Sequence, residues 1–120
     1  MTSAEYLTHG ELKNVLSNED AIVLIDVRNP DEFSQERMKQ SVNLPLSELE
    51  EAFSLSVDDF RSKYGFTKPA QNDTNIILTC RSGRRTGMAH QKLLGLGYQN
   101  IRLAKGMLEW IEHGEEVISG

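Results

Sequence analysis

The chain has one cysteine, Cys80, which excludes a disulfide within it and leaves no second thiol to resolve an intermediate formed on the first. Histidine is scarce: His9, His90 and His113 are scattered, without the spacing of metal ligands, and read as structural side chains. No apolar run approaches the roughly 20 residues a membrane-spanning helix needs. Positive charge is in the minority, 13 Lys and Arg against 18 Asp and Glu for a net charge of −5. That balance argues against nucleic acid and anionic membrane surfaces as partners. Met1 to Lys13 contains no arginine and no apolar stretch, so it resembles neither a signal nor a transit peptide. The expected compartment is the cytoplasm, with a mitochondrial one left open. Internal repeats and low-complexity segments are absent.

What remains is an ordinary globular composition, 38% hydrophobic and 26% charged over 120 residues. One domain spanning residues 1–120 is expected, large enough for two or three layers. Ile22-Val23-Leu24-Ile25 and Ile76-Ile77-Leu78 are continuous apolar runs without alternation. Such runs fit strands covered on both faces, as in a parallel sheet, and helical material between them gives an α/β reading. Thr8 and Glu11 have capping-box spacing ahead of a helix over about 10–17, and Ser47 and Glu50 repeat it. Asn29-Pro30 starts a short helix, and Arg28 and Glu32 are near enough to pair around that turn. Ser41 to Leu44 reads as a short strand stopped by Pro45, Ser56 opens a helix closed by Gly65, and residues 68–74 read as a surface loop. A helix from about Arg85 to Gly97, a strand over 101–103 and a last helix with Met107, Trp110 and Ile111 on one side complete the chain.

The candidate site is Cys80-Arg81-Ser82-Gly83-Arg84-Arg85-Thr86. It places the thiol at the carboxyl end of a strand and near a helix N-terminus, where open α/β sheets bind ligands and unpaired N–H groups point outward. The thiolate is the nucleophilic form of cysteine, and a helix terminus stabilises negative charge by roughly 0.3–1 kcal/mol. A lone cysteine closing a strand is commonly an inert core residue. Three arginines within five residues of an otherwise acidic chain favour a site for a small anion instead. Asp26, at the end of the first strand, reads as a holder of loop backbone ahead of a catalytic carboxylate. Trp110 reads as a core anchor.

These segments, taken in order, resemble the rhodanese (thiosulfate sulfurtransferase) family. The cysteine loop is similar to its Cys-x-Ser-Gly-x-Arg-Ser/Thr motif, Leu24 to Arg28 with Glu32-Phe33 to its first strand and turn, Val42 to Pro45 to its next landmark, and Gly97-Tyr98 through Gly106 and Trp110 to its closing segment. Leu46 to Pro69 resembles the small single-domain animal members, the thiosulfate sulfurtransferase/rhodanese-like domain-containing group. The resemblance implies a five-stranded parallel sheet flanked by helices on both faces and no cofactor beyond a persulfide on Cys80. It implies thiosulfate as donor, and glutathione, a thioredoxin-type thiol or cyanide as acceptor. It further implies that Arg81, Ser82, Gly83, Arg84 and Arg85 bind substrate, Arg85 most directly, with Asp26, Arg28, Glu32, Gly106 and Trp110 in support. Two departures stand out. Residues 36–41 replace a Gly- and Pro-containing connection, and Lys105-Gly106 replaces the usual Gly-Gly. Two competing functions share the fold: a cysteine phosphatase or arsenate reductase, which has five residues between cysteine and arginine where this chain has four, and a non-catalytic protein-binding module.

Overall fold

A computed structural model describes residues 6–19 and 21–119; the first five residues of the N-terminal stretch read above lie outside them. Five strands form one parallel sheet: β1 (Tyr6–Leu7), β2 (Val23–Asp26), β4 (Ser41–Asn43), β5 (Ile76–Thr79) and β6 (Arg102–Ala104), in the order β1-β6-β5-β2-β4. The apolar runs are continuous because both faces are covered. Ile25, Ile76, Leu78 and Leu103 point to one side, and Leu24, Ile77 and Ala104 to the other.

The first face packs on α3 (Leu49–Phe53), α4 (Val57–Tyr64) and α5 (Arg84–Gly95), through Leu49, Phe53, Phe60, Ala89 and Leu93. The second packs on α1 (His9–Asn18) and α6 (Met107–Glu112), through Leu12, Val15 and Met107. Each fully buried Leu or Ile here contributes roughly 1.5–3 kcal/mol of transfer free energy. The expected α/β architecture, with a five-stranded parallel sheet between two helical layers, is the one observed.

Local signals explain most boundaries. Thr8 and Glu11 exchange both capping-box bonds at the start of α1. Asn29 and Pro30 open α2 (Pro30–Gln35), and Gly65 closes α4 at φ +80°. The Ser47/Glu50 box does not form. Pro45 instead leads into a 3-10 turn over Leu46–Glu48, which runs into α3 with no side-chain cap. Ile111 turns to solvent at 42% exposure, so only Met107 and Trp110 face the core from α6.

The atypical 36–41 connection forms a small antiparallel ribbon, β3 (Glu36–Arg37) against β7 (Ile118–Ser119). Met38 then plugs the core at 2% exposure. Both short strands, like β1, escaped sequence reading, because two residues carry no periodicity.

Because all five sheet strands run the same way, their carboxyl ends share one edge. Leu78 pairs with Leu103, and Leu7 with Ala104. Two steps past Leu78–Leu103 and one past Leu7–Ala104 along this register, Cys80, Lys105 and Thr8 lie near one another at that edge.

Candidate active site

Strand β5 ends at Thr79, Cys80 follows it directly, and α5 begins four residues later at Arg84. Gly83 makes this tight return possible with φ +102°, a conformation that disfavours any side chain. The turn aims backbone donors inward: the Gly83 N–H lies 2.9 Å from the Cys80 Sγ, and the Thr86 N–H lies 3.4 Å from it. On the far side the thiol points to the Lys105 carbonyl at 3.8 Å. Cys80 is 1% exposed, so its sulfur is buried, with amides turned toward it. Oriented N–H groups of this kind stabilise negative charge on the atom they face.

The back of the loop is fixed by the start of α6. The Met107 N–H donates to the Cys80 carbonyl at 2.9 Å, and the Leu108 N–H to the Arg81 carbonyl at 3.0 Å. Gly106 permits this approach: its φ is +121°, and a Cβ there would stand 1.8 Å from the Cys80 oxygen. The second glycine of the usual pair is therefore indispensable here, whereas Lys105 at the first position is accommodated.

The arginine partners differ from expectation. Arg28 does not pair with Glu32. Its guanidinium turns back to Asp26 at 2.8 Å, where both groups are buried, and donates to the Glu36 carbonyl at 2.6 Å. The Asp26 carboxylate also accepts from the Arg28 N–H. Asn43 clamps the same turn, its amide donating to the carbonyls of Asp26 and Arg28. Glu32 pairs with Arg85, 53 residues away, in a two-pronged contact at 2.6 and 3.0 Å. Arg85 holds the Glu32 carboxyl down to about 2, with help from the Asn29 N–H and against partial burial. Arg85, expected as the most direct anion contact, thus has both terminal nitrogens on Glu32 and ties α5 to α2.

Arg81 and Arg84 are exposed, and neither joins an ion pair among the described residues. Ser82 is exposed, with no bond from its hydroxyl to the sulfur or the turn among those residues. His90 is half-buried on α5, and burial lowers its pKa. Trp110 is half-buried against Met107 and its neighbours, its indole N–H donating to the Glu116 carbonyl.

Tyr6 escaped sequence reading altogether. Its hydroxyl donates to the Gly83 carbonyl at 2.9 Å and occupies the space a Cβ at Gly87 would need. Burial, and secondarily the nearby Cys80, raises its pKa, so it remains a donor. The only sequence signal was the glycine at position 87, one turn into a helix. Among the described residues no cluster of His, Cys, Asp or Glu could hold a metal ion, and no helix is long and apolar enough to cross a membrane.

An amide-lined cysteine turn between a parallel strand and a helix defines a class, and comparison with known proteins shows which. The Rhodanese-like domain matches residues 8–113. The chain belongs to the rhodanese family. It is 36% identical over 109 residues to the mouse thiosulfate sulfurtransferase/rhodanese-like domain-containing protein 3, covering 89% of this chain and 68% of that one. It is 32% identical over 113 residues to the human thiosulfate:glutathione sulfurtransferase, covering 93% and 97%. Among solved structures, human single-domain sulfurtransferase TSTD1 superposes with a TM-score of 0.84 at 30% identity, over 92% of this chain and 97% of that one.

Proposed function

We propose that the protein is a thiosulfate sulfurtransferase that carries sulfur as a persulfide on Cys80. The observation that supports this most is the pair of N–H groups, from Gly83 and Thr86, directed at the chain's one thiol. The Cys80 thiolate attacks the outer sulfur of thiosulfate; a new S–S bond forms on Cys80, and sulfite leaves with the electron pair of the broken bond. An acceptor thiolate or cyanide then attacks the outer sulfur of the persulfide and returns Cys80 as the thiolate. Charge is conserved in each step, and the two-step route implies ping-pong kinetics.

Because Cys80 is only 1% exposed, the donor's small outer sulfur alone enters the turn, while its sulfonate stays outside beside the exposed Arg81 and Arg84. The turn amides cradle the outer sulfur of the persulfide, whose charge they stabilise without reorganisation. Glutathione, the acceptor named for the human relative, is the acceptor of choice here, with a thioredoxin-type thiol or cyanide able to follow the same course.

Parallel double-reciprocal lines for thiosulfate and cyanide, with one sulfite released per thiocyanate formed, are the expected result. Intersecting lines would contradict a free persulfide enzyme. The four residues between Cys80 and Arg85 frame a ring suited to one sulfur atom, so aryl phosphate hydrolysis at a rate comparable to sulfur transfer would contradict the reading as well.

A further inference from the structure

Beside the cysteine turn, at the same carboxyl edge of the sheet, lies a cleft of about 310 Å³ walled by Tyr6, Thr8, His9, Lys105, Glu109 and His113. Its volume falls at the small end of ligand sites, roughly 300–1,000 Å³. A larger cavity of about 730 Å³, lined by Lys13, Met38 and Trp110, includes neither the cysteine turn nor Lys105.

Lys105 links the smaller cleft to the sulfur. Its carbonyl is 3.8 Å from the Cys80 Sγ, while its side chain, 58% exposed, lines the cleft. The ammonium is only loosely engaged, 3.9 Å from Glu109 one helical turn on. Tyr6 forms the shared wall, touching the Gly83 carbonyl on one side and the cleft on the other.

The rest of the wall is preset. His9 is held by Glu115 at 2.6 Å and stacks on His113 with ring centres 4.0 Å apart. Glu115 is also paired with Lys13, so its charge is compensated. The His113 Nδ1 faces the Glu109 carbonyl at 2.9 Å, and a carbonyl can only accept. That nitrogen therefore carries a proton. The cleft thus offers a loosely held cation in Lys105 together with an acceptor in Glu109. This complement suits a small molecule carrying both a carboxylate and N–H donors.

Resting on the sulfurtransferase reading above, we infer that this cleft is the acceptor subsite, in which Lys105 holds a carboxylate of a small zwitterionic thiol while the thiol reaches Cys80 past Tyr6. Lys105 occupies a position where a glycine is usual, so the selectivity belongs to this chain's own residue. The substrate class is a peptide-like thiol such as glutathione, in preference to an uncharged thiol.

The test compares glutathione with 2-mercaptoethanol as acceptors for the thiosulfate-loaded protein. Lys105→Gln keeps the backbone and removes the charge. It is expected to raise the KM for glutathione about tenfold, the scale of one charge-assisted contact, and to move that for 2-mercaptoethanol less than about twofold. An unchanged glutathione KM in Lys105→Gln, or equal changes for the two thiols, would overturn the assignment.

Binding of S-methylglutathione, which cannot accept sulfur, gives a readout independent of catalysis. Its NMR shifts should fall on Lys105, Glu109 and His113 and weaken in Lys105→Gln; shifts confined elsewhere would overturn the subsite. A protein that takes no sulfur from thiosulfate yet binds S-methylglutathione in this way would refute the proposed activity and leave the cleft standing.

Discussion

At Gly106 and Gly83 the chain's freedom ends. Adding a methyl group at residue 106 sets a carbon 1.8 Å from the Cys80 carbonyl on a backbone at φ +121°. Relief requires α6 to move off the cysteine turn, which breaks the bonds from Met107 and Leu108. Gly106→Ala should therefore cost about 3 kcal/mol or more, the sum of backbone strain and overpacking. Chemical denaturation measures this directly, and a loss under about 1 kcal/mol would mean the contact relaxes cheaply. Cys80 and its turn were legible from sequence because motif, glycine and strand end coincide within seven residues. Tyr6 was not, since its contact to Gly83 spans 77 positions and its strand has two residues.

Between elements, the Glu32–Arg85 pair fastens α2 to the N-terminal turn of α5. A sequence shows that Arg28 is four residues from Glu32, but not that Asp26 outcompetes Glu32 for it. Asp26 wins because it accepts from the Arg28 N–H and its guanidinium at once. Glu32 is then left facing α5, where the parallel sheet brings Arg85. Periodicity and capping signals located the helices and the central strands, being local. Partners were lost to topology, and the Ser47/Glu50 box was lost to a proline that starts a tighter turn.

The pair also sets a pH dependence. The Glu32 carboxyl falls from 4.5 to about 2 on folding, so its stabilisation is fully present above pH 4.5 and is lost as pH drops toward 2. With Glu32 27% exposed, water screening reduces the contribution to about 1–2 kcal/mol. Glu32→Gln should be less stable than the parent at pH 6 by about that much, with the gap closing near pH 2. A gap that stays constant across this range would show that the carboxylate charge is not the cause.

Over the whole molecule, a net charge of −5 surrounds a rim carrying two exposed arginines. Under the proposed function, an anionic donor such as thiosulfate meets repulsion at long range and attraction near these arginines. Above about 0.1 M salt the repulsion beyond about 10 Å is already screened, so further salt acts mainly on the exposed local attraction. kcat/KM for thiosulfate is expected to fall as salt rises in the parent. In Arg81→Ala/Arg84→Ala it should start lower and respond weakly or in the opposite sense. An identical salt slope in both proteins would remove these arginines from donor capture.

The parallel sheet is what makes the arrangement possible. It delivers β1, β5 and β6 to one edge, so that a thiol, its amides, a tyrosine and a lysine from distant parts of the chain meet there. Mass spectrometry of the intact protein tests the central claim most directly. After thiosulfate, the parent should gain the mass of one sulfur atom and lose it again on addition of cyanide or glutathione, while Cys80→Ser gains nothing. A parent that stays at its original mass, or a Cys80→Ser protein that takes up sulfur equally, would contradict it.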